Sequence, residues 1–376
     1  MTTTPIDAVR HPDPYPYYAD LVADRPFAYD GSLNAWVAAD ATAVRAVLAA
    51  PQLRVRPAGE PVPTGVTGTA AGEVFGDLVR MTDGSLQQRL KALVVRALGR
   101  ADTARAAALA AAHTREVLAA GGGVPYQELM FGVPARTVAG LLGLTDGADA
   151  EAARLVGDFV QCIPAGASEE QYKAAALAAA RLQDLLRPGL DGSRETLLAE
   201  LVRAARQDSW PDTAPLLANA VGFLSQTYDA TAGLIGNTLV ALARGAARPG
   251  TPRALDALVR EVVRHDAPIQ NTRRFAAGAF HHGGATVEPG GQVLVVLAAA
   301  NRDPAVNPDP HALLPGRVNP AVFTFGAAAH RCPGEDLAAA LAGAVVTELL
   351  AAGWDPAGLP ATPGYRPLAN ARIPQL

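Results

Sequence analysis

The sequence predicts a mainly α-helical protein with small β-sheets, organised as one large domain over residues 1–376. Apolar residues recur at helical spacing over long stretches, most clearly in residues 213–244, whereas strand-like segments are few and short. No linker-like change of composition and no internal repeat divides the chain. A chain of 376 residues is long enough to bury a substantial core in a single domain.

Composition and charge exclude several classes of protein. Apolar residues make up 49% of the chain and charged residues 18%, which is typical of a globular protein and not of a disordered one. The net charge of −4 gives no sign of nucleic-acid binding. Two distant cysteines do not form a disulfide scaffold, and the first residues lack the apolar core of a secretory signal. We therefore expect a cytoplasmic protein with no membrane-spanning helix.

Short helices and strands are predicted in the first third of the chain. Residues 11–26 predict a helix ended by Pro26, and residues 35–50 predict a strand followed by a helix. Residues 54–73 are rich in Gly, Pro and Thr, so we expect a long irregular loop there. Residues 86–120 carry a helical pattern.

Helical patterns dominate the rest of the chain. Ser168 followed by two glutamates is a start signal for a helix over residues 169–187. Further helices are predicted over residues 148–162, 213–244, 252–266 and 335–352. The strand-like segments are "TRRFAA", "QVLVVLAA" and "TVEP".

Cys332 stands in the stretch "FTFGAAAHRCPGEDLA", residues 323–338, where several roles are open to it. A buried core position is the commonest fate of a lone cysteine. A nucleophile paired with His330 would require two side chains that diverge in an extended loop. A zinc site lacks partner ligands nearby, whereas an axial thiolate ligand for haem iron needs none.

The residues around Cys332 favour a thiolate. Pro333 suits the first position of a helix, and Glu335 and Asp336 suit its first turn. A cysteine at a helix N-terminus is stabilised as the thiolate by the helix dipole and by free N–H groups. Gly326 and Gly334 permit close approach of the backbone to a flat ligand.

The stretch resembles the haem-binding loop of cytochromes P450, Phe-Gly-x-Gly-x-His-x-Cys-x-Gly. It matches at Phe325, Gly326, His330, Cys332 and Gly334, and it departs at Ala328, where that family usually has Gly. The resemblance covers nearly the whole chain. It implies the cytochrome P450 fold around a buried haem b (iron protoporphyrin IX), with Cys332 as the ligand of the metal.

Two further phrases are similar to that family. "EVVR" matches its Glu-x-x-Arg, and the spacing of three places Glu261 and Arg264 on one helix face as a structural ion pair. The family's third partner, an Arg, aligns with Ala312, so the triad is expected to be incomplete, and the sequence leaves open whether His311 compensates. "AANRDP" at residues 299–304 is also typical of the family.

The resemblance implies partners for the two haem propionates, which need cations or donors when they are buried. "DGSLQQRLK" aligns Gln87 and Lys91 with the family's first pair, with Arg89 between them. The later Arg of the family aligns with Arg274, beside Arg273. The alternative for Arg89 and Lys91 is a solvated helix face.

The long helical pattern over residues 213–244 resembles the family's central helix, whose acid and alcohol supply protons during the reduction of dioxygen. The acid is kept as Asp229, but Ala230 holds the position of the alcohol, and Thr231 follows one residue late. Gln226 and Thr227 make this stretch more polar than usual, unless their side chains only bind the local backbone. We expect Asp229 to deliver protons with help from Thr231, Gln226 or water.

These features predict a haem-thiolate monooxygenase that oxidises a small organic substrate, in bacterial natural-product biosynthesis. The resemblance implies O2 as co-substrate and electrons from NAD(P)H through a ferredoxin reductase and a ferredoxin or flavodoxin-type donor. Substrate contacts are expected in the 54–80 loop, in residues 155–175, 226–231 and 268–273, and in the tail near residues 365–372. Among these we single out Tyr228, Gln270, Asn271 and Arg273. Oxidative cross-linking of aromatic groups in a peptide or cyclic dipeptide is an alternative, and a non-catalytic haem sensor or binding protein is an alternative of another class.

Overall fold

A computed structural model describes residues 4–164, 166–360 and 362–376. Helices account for most of the regular structure, which confirms the predicted fold class. The helices are α1 Pro5–Ala8, α2 Tyr15–Asp24, α3 Ala41–Ala49, α4 Ala70–Asp77, α5 Gly84–Leu98, α6 Thr103–Ala119, α7 Val133–Leu141, α8 Ala148–Val160, α9 Glu169–Leu186, α10 Leu197–Gln207, α11 Ala214–Ala243, α12 Pro252–His265, α13 Leu297–Ala300 and α14 Glu335–Ala351.

The strands are short, as the sequence predicts. They are β1 Phe27–Asp30, β2 Ala35–Ala38, β3 Leu53–Arg54, β4 Thr272–Ala276, β5 Phe280–His282, β6 Ala285–Val287 and β7 Gln292–Val295. Five of them form one sheet in the order β1-β2-β7-β4-β3, and β5 pairs with β6 in a separate hairpin. Within the larger sheet only β2 and β7 run parallel, with Trp36 opposite Val293.

Helix boundaries follow the capping signals of the sequence. The Ser168 hydroxyl accepts from the N–H of Gln171 and the Gln171 side chain accepts from the N–H of Ser168, so α9 begins with a capping box. The predicted helix over residues 86–120 is two helices, because the chain turns after Gly99 and Asp102 caps α6. Strands β1, β3 and β5 and helices α1, α4, α7, α10 and α13 were not predicted; α4 begins inside the predicted loop, and α13 lies in a segment predicted as strand.

The chain divides into two compact units. The first consists of Met1–Ala58, Ala232–Cys332 and Leu349–Leu376, and it contains both sheets, α12 and the Cys332 loop. Its core packs Val44, Val47 and Phe280 against the apolar side chains of β7. The prediction of one domain over the whole chain stays a prediction.

The second unit consists of Gly59–Thr231 and Pro333–Glu348. It is helical throughout, with α7 packed on α6 and α8, α9 packed on α8 and α4, and α10 packed on α5. Residues 214–231 of α11 belong to this unit. No helix in the described part of the chain is long and apolar enough to span a membrane.

Candidate active site

A short loop, residues 323–332, presents Cys332 in the first unit. The N–H of Cys332 donates to the Phe325 carbonyl at 2.7 Å, and the N–H of Gly326 donates to the Phe323 carbonyl at 2.7 Å. Gly326 has a φ of +70°, a conformation that favours glycine. The two hydrogen bonds fold the loop back on itself and leave Cys332 half-buried at its end.

Asn301, in the segment "AANRDP", anchors the start of this loop. Its Oδ1 accepts from the N–H of Phe323 at 2.6 Å, and its Nδ2 donates to Thr324 Oγ1 at 2.7 Å. The Thr324 hydroxyl then donates to the Val263 carbonyl on α12 at 2.6 Å. All of these groups are buried, so the loop that carries Cys332 is fixed to α12 through side-chain hydrogen bonds.

Ala328 takes the backbone conformation that a glycine would favour. Its φ is +53°, and it begins the single turn of helix that ends at His330. An L-residue in this left-handed region is strained by about 1–2 kcal/mol, and hydrogen bonds on either side hold it there. The departure from the family pattern at Ala328 therefore leaves the path of the loop intact.

Helix α14 begins where it was predicted, but Pro333 does not belong to it. Glu335 is its first residue and the Gly334 carbonyl accepts from the N–H of Ala338 at 3.0 Å, so Gly334 and not Pro333 stands at the helix boundary. Glu335 and Asp336 do occupy the first turn, as predicted.

Glu261 and Arg264 form a buried two-point ion pair on α12. Arg264 Nη2 lies 2.6 Å from Glu261 Oε1 and Nε lies 3.0 Å from Oε2. Burial pushes the pKa of Glu261 up, but the Arg264 hydrogen bond, the Leu314 N–H and the charges of Arg264 and Arg317 outweigh it, so the pKa is lowered. Arg264 also donates to the Asn301 carbonyl at 3.2 Å, which connects the pair to the anchor of the Cys332 loop.

The expectation of an incomplete triad is wrong. Arg317 Nε donates to Glu261 Oε1 at 3.3 Å and supplies the third member, five residues after Ala312. The Ala312 carbonyl accepts from both Arg264 and Arg317, at 3.0 and 3.1 Å. His311 is not the substitute for the third partner, because its carbonyl accepts from His265 and its ring lies beside Arg302.

The predicted site residues on and before β4 have different environments. Arg274 is buried, and its Nη1 donates to the Arg273 carbonyl at 2.8 Å and to Thr272 Oγ1 at 3.3 Å. Arg273 alternates with it on the strand, and Arg273 Nε is buried with no hydrogen-bond partner among the described residues. Gln270 and Asn271 donate to the carbonyls of Ala267 and Ala369, at 2.7 and 2.8 Å, so these donors support the backbone.

Two of the polar side chains of α11 already donate hydrogen bonds to the backbone of their own helix. Gln226 Nε2 donates to the Gly222 carbonyl at 3.0 Å, and Thr227 Oγ1 donates to the Phe223 carbonyl at 2.8 Å. Their donors thus bind the local helix backbone, which was the alternative interpretation of these two residues. Thr231 is different, because its Oγ1 is buried and has no hydrogen-bond partner among the described residues.

The neighbours of this polar stretch within the second unit are partly aromatic. The Tyr228 ring lies 4.9 Å from that of Phe131, and a methyl group on Gly157 would come 2.9 Å from the Tyr228 hydroxyl. Asp229 and Ala230 are half-buried. The substrate-binding role of Tyr228 stays a prediction.

The three predicted propionate partners on α5 lie on different faces of that helix. Gln87 is buried and Lys91, one turn later, is half-buried. Arg89 is exposed, and its guanidinium lies 4.5 Å from the centre of the Trp210 ring. The solvated alternative therefore describes Arg89, whereas Gln87 and Lys91 share a more buried face.

The donor set around Cys332 fits haem iron. No three His, Cys, Asp or Glu side chains in the described part of the chain gather to hold a metal ion. A single thiol therefore suits an iron whose other ligands come from a macrocycle. The fixed loop, the left-handed Gly326 and the buried cation Arg274 match the needs of a flat, anionic group.

The sequence is similar to known proteins over most of its length. A family model described as "Cytochrome P450" matches residues 253–352. The cytochrome P450 monooxygenase PikC of Streptomyces venezuelae is 31% identical over 90% of this chain and 83% of its own. The 6-deoxyerythronolide B hydroxylase of Saccharopolyspora erythraea is 31% identical over 55% of this chain and 52% of its own.

Solved structures share the fold. CalO2 superposes with a TM-score of 0.83 at 24% identity, covering 98% of this chain and 96% of its own. The cytochrome P450 PksS of the Bacillus subtilis bacillaene polyketide synthase superposes with a TM-score of 0.82 at 18% identity, covering 100% of this chain and 98% of its own.

Proposed function

Since this chain belongs to the cytochrome P450 family and is a haem-iron oxidoreductase of its monooxygenase class, we propose that it hydroxylates a small organic molecule in bacterial natural-product biosynthesis. The electrons come from NAD(P)H through a ferredoxin or flavodoxin-type donor. The balanced reaction consumes a substrate C–H bond, O2, NAD(P)H and one proton, and it yields the alcohol, water and NAD(P)+.

The fixed Cys332 loop carries the proposal. Haem b, when bound through the Cys332 thiolate, supplies the activation of dioxygen, and the thiolate raises the electron density that this chemistry needs. Asn301 and Thr324 hold the loop in place on α12. Arg274, Gln87 and Lys91 bind the propionates in this proposal, whereas the ring contact of Arg89 with Trp210 does not support a role for Arg89.

Thr231 replaces the missing alcohol in the proposed proton path. A buried hydroxyl without a partner is unfavourable by about 1–3 kcal/mol, so its retention indicates a group that binds something else during the reaction. The buried hydroxyls of Thr114, Thr137 and Thr238 all donate to the carbonyl four residues earlier, which Thr231 does not do. We assign Asp229 and Thr231 Oγ1 as the pair that supplies protons, with Gln226 and Thr227 as structural neighbours.

The names of similar proteins support the choice of substrate class. One is a 6-deoxyerythronolide B hydroxylase and another belongs to the bacillaene polyketide synthase, so both names point to natural-product metabolism. Tyr228 and Arg273 remain the residues that we propose to touch the substrate. The donors of Gln270 and Asn271 bind backbone carbonyls instead, which argues for a supporting role.

Oxidative cross-linking is the second candidate, and Ala230 is the observation that favours it. Without an alcohol at that position, the site suits a reaction that removes one hydrogen from each of two aromatic groups. The balanced reaction consumes one bond to hydrogen on each of the two groups, O2, NAD(P)H and one proton, and it yields the coupled product, two water molecules and NAD(P)+.

Product mass after turnover with NAD(P)H, a surrogate ferredoxin and its reductase separates the candidates. Hydroxylation adds one oxygen atom, whereas coupling removes two hydrogen atoms. A panel of small aromatic compounds, cyclic dipeptides and macrolactones is first screened by the spectral shift of the haem on binding. Absence of any NAD(P)H consumption with every ligand that shifts the spectrum would contradict both candidates and favour a haem sensor.

A further inference from the structure

One face of α11 carries a line of residues that ends at Asp229. Asn219, Gly222, Gln226 and Asp229 are spaced by three, four and three positions, so they lie along one side of the helix. In the segment of residues 77–81, residues 77–79 contact the first part of this side. Both the segment and this half of α11 belong to the second unit.

Two contacts fix the segment to α11. The N–H of Val79 donates to Asn219 Oδ1 at 3.0 Å, and Asn219 Nδ2 donates to the Asp77 carbonyl at 2.9 Å. Leu78 fills the space above Gly222, where a methyl group would come 2.7 Å from Leu78 Cδ2. These contacts fix the position of the segment on α11. Arg80 is the residue that follows them in the chain.

Arg80 is a cation in a poorly solvated position. Its Nε is buried with no hydrogen-bond partner among the described residues. Burial lowers the pKa of the Arg80 guanidinium, and the negative charge of Asp229 opposes that fall. A buried cation persists when an anion compensates it, and the line of residues on α11 brings Asp229 to this side of the helix.

The other charged side chains on neighbouring elements do not offer a cation that could take the place of Arg80 beside Asp229. On α8, the carboxylates of Asp149 and Glu151 pair with Arg136 and Arg181. The other titratable side chains on α4, on α8 and in residues 128–132 are those of Glu73, Asp77, Arg154, Asp158 and Glu128. Of these only Arg154 is a cation, and it is exposed.

We propose that Arg80 is the positioning residue for Asp229: its guanidinium keeps the Asp229 side chain ionised and fixes it on the side of α11 that residues 77–79 contact. The consequence for catalysis rests on the proposed function, in which Asp229 supplies protons. An ionised carboxylate at a fixed position accepts a proton from solvent and then donates it to the next group, whereas a carboxyl group that is already protonated or mobile does so poorly.

Infrared difference spectroscopy of the haem-loaded protein tests the pairing without turnover. Carboxyl bands of Asp229 are identified in protein labelled with ¹³C-aspartate by subtraction of the Asp229→Asn spectrum. We expect an ionised carboxylate in the wild type at pH 7, a protonated fraction in Arg80→Leu, and recovery of the ionised form in Arg80→Lys. Identical Asp229 bands in the wild type and Arg80→Leu would overturn the inference.

Coupled turnover adds a second readout. Arg80→Leu should lower product per NAD(P)H about 10-fold, Arg80→Lys less, and the exposed-cation control Arg154→Leu not at all. In an Asp229→Asn background Arg80→Leu should change product per NAD(P)H less than twofold, because the two residues act as a unit. Additive losses would contradict the pairing.

The two readouts also separate this inference from the proposed function. If Asp229→Asn turns over like the wild type while Arg80→Leu still shifts the Asp229 bands, the pairing is supported and the proton role of Asp229 is refuted. If Arg80→Leu does not fold, the Arg80→Leu/Asp229→Asn double variant removes both charges. Its recovery of folded protein would support the pair, and its failure to recover would contradict it.

Discussion

Arg317 Nε lies 3.3 Å from Glu261 Oε1, the same oxygen that Arg264 Nη2 binds at 2.6 Å. One carboxylate thus holds two guanidinium groups, of which Arg264 is fully buried and Arg317 is 10% exposed. Arg317 also donates to the carbonyls of Asp309 and Ala312. Through these two arginines Glu261 connects α12 to the irregular segment that follows α13.

Removal of Glu261 should be far more harmful than removal of Arg317. Glu261→Ala leaves the buried Arg264 without its counter-charge, and we expect a loss of about 3–5 kcal/mol in the free energy of unfolding, with little haem-loaded protein. Arg317→Ala leaves the two-point pair intact, so we expect a loss of about 1–2 kcal/mol. Denaturant unfolding monitored by circular dichroism measures both.

Arg260→Ala is the matched control on the same helix. Its guanidinium pairs with Asp256 in an exposed position, where such pairs contribute less than about 1 kcal/mol. A normal yield of stable, haem-loaded Glu261→Ala protein would show that the network is dispensable.

The stability of the protein should fall in mild acid because of His265. This ring sits at the end of α12, and its Nε2 donates to the His311 carbonyl at 2.9 Å. Burial, followed by the charge of Arg302, lowers the pKa of His265 from 6.5 to about 4. The unfolded chain therefore binds the proton first, so stability is complete above pH 6.5 and is lost as the pH falls toward 4.

The size of this loss and its assignment can both be measured. A shift of this size corresponds to about 3 kcal/mol, which partial exposure of the ring reduces to about 1–2 kcal/mol. His265→Gln keeps a donor without the titration, so its unfolding free energy should depend less on pH in this window. The pKa values of His113 and His311 are also lowered, chiefly by burial. In His265→Gln the free energy of unfolding should therefore still fall in acid, with a smaller slope. The exposed control His281→Gln should keep the wild-type slope, and an unchanged slope in His265→Gln would contradict the assignment.

Much of the fold was predictable because its signals are local. The capping box at Ser168 and the continuous helical pattern of α11 fixed element boundaries to within a residue or two. The Cys332 loop and the Glu261–Arg264 pair were visible as short motifs, and the ion pair forms as predicted. Short strands such as β3 lack such signals, because pairing with a distant segment, here β4, decides whether they form.

The missed residues act over long sequence distances in irregular segments. The family's third Arg was aligned with Ala312, five residues before Arg317, which takes that role in the structure. The segment before Arg317 has no periodicity, so the sequence gives no sign of this displacement. The tail near residues 365–372 was expected to meet the substrate, yet Arg372 is fully buried there. Its Nε donates to Asp266 at 2.8 Å and its guanidinium lies 3.5 Å from the centre of the Tyr365 ring. The roles of Arg317 and Arg372 depend on contacts with residues that are distant in the sequence, and the residue type alone does not predict those contacts.

Cys332→Ser should abolish thiolate ligation of haem. The wild-type protein, reduced and exposed to CO, should show the red-shifted Soret band of thiolate-bound haem, and the variant should lose it. Cys162→Ser is the control, because Cys162 is buried, its Sγ donates to the Phe159 carbonyl at 3.1 Å, and burial raises its pKa to about 11. Retention of the red-shifted band in Cys332→Ser would disprove the ligand assignment.

Restoring the family alcohol at residue 230 should not help. If Thr231 and Asp229 already supply protons, Ala230→Thr adds bulk and a competing hydroxyl, so we expect unchanged or lower product per NAD(P)H. Asp229→Asn should slow turnover about 10²-fold, since it removes the acid from the path. A large gain in coupled turnover for Ala230→Thr would identify Ala230 as a simple defect in an ordinary monooxygenase.

Thr231→Val gives the sharpest test of the proton path. Valine keeps the shape of threonine and removes only the hydroxyl, which has no hydrogen-bond partner among the described residues, so the melting temperature should stay the same or rise. Product per NAD(P)H should nevertheless fall about 10- to 100-fold. Thr238→Val on the same helix is the matched control with the opposite pattern, because that hydroxyl donates to the Leu234 carbonyl at 2.7 Å. It should lower the melting temperature and leave coupling unchanged, whereas full coupling in Thr231→Val would leave Asp229 and solvent as the proton source.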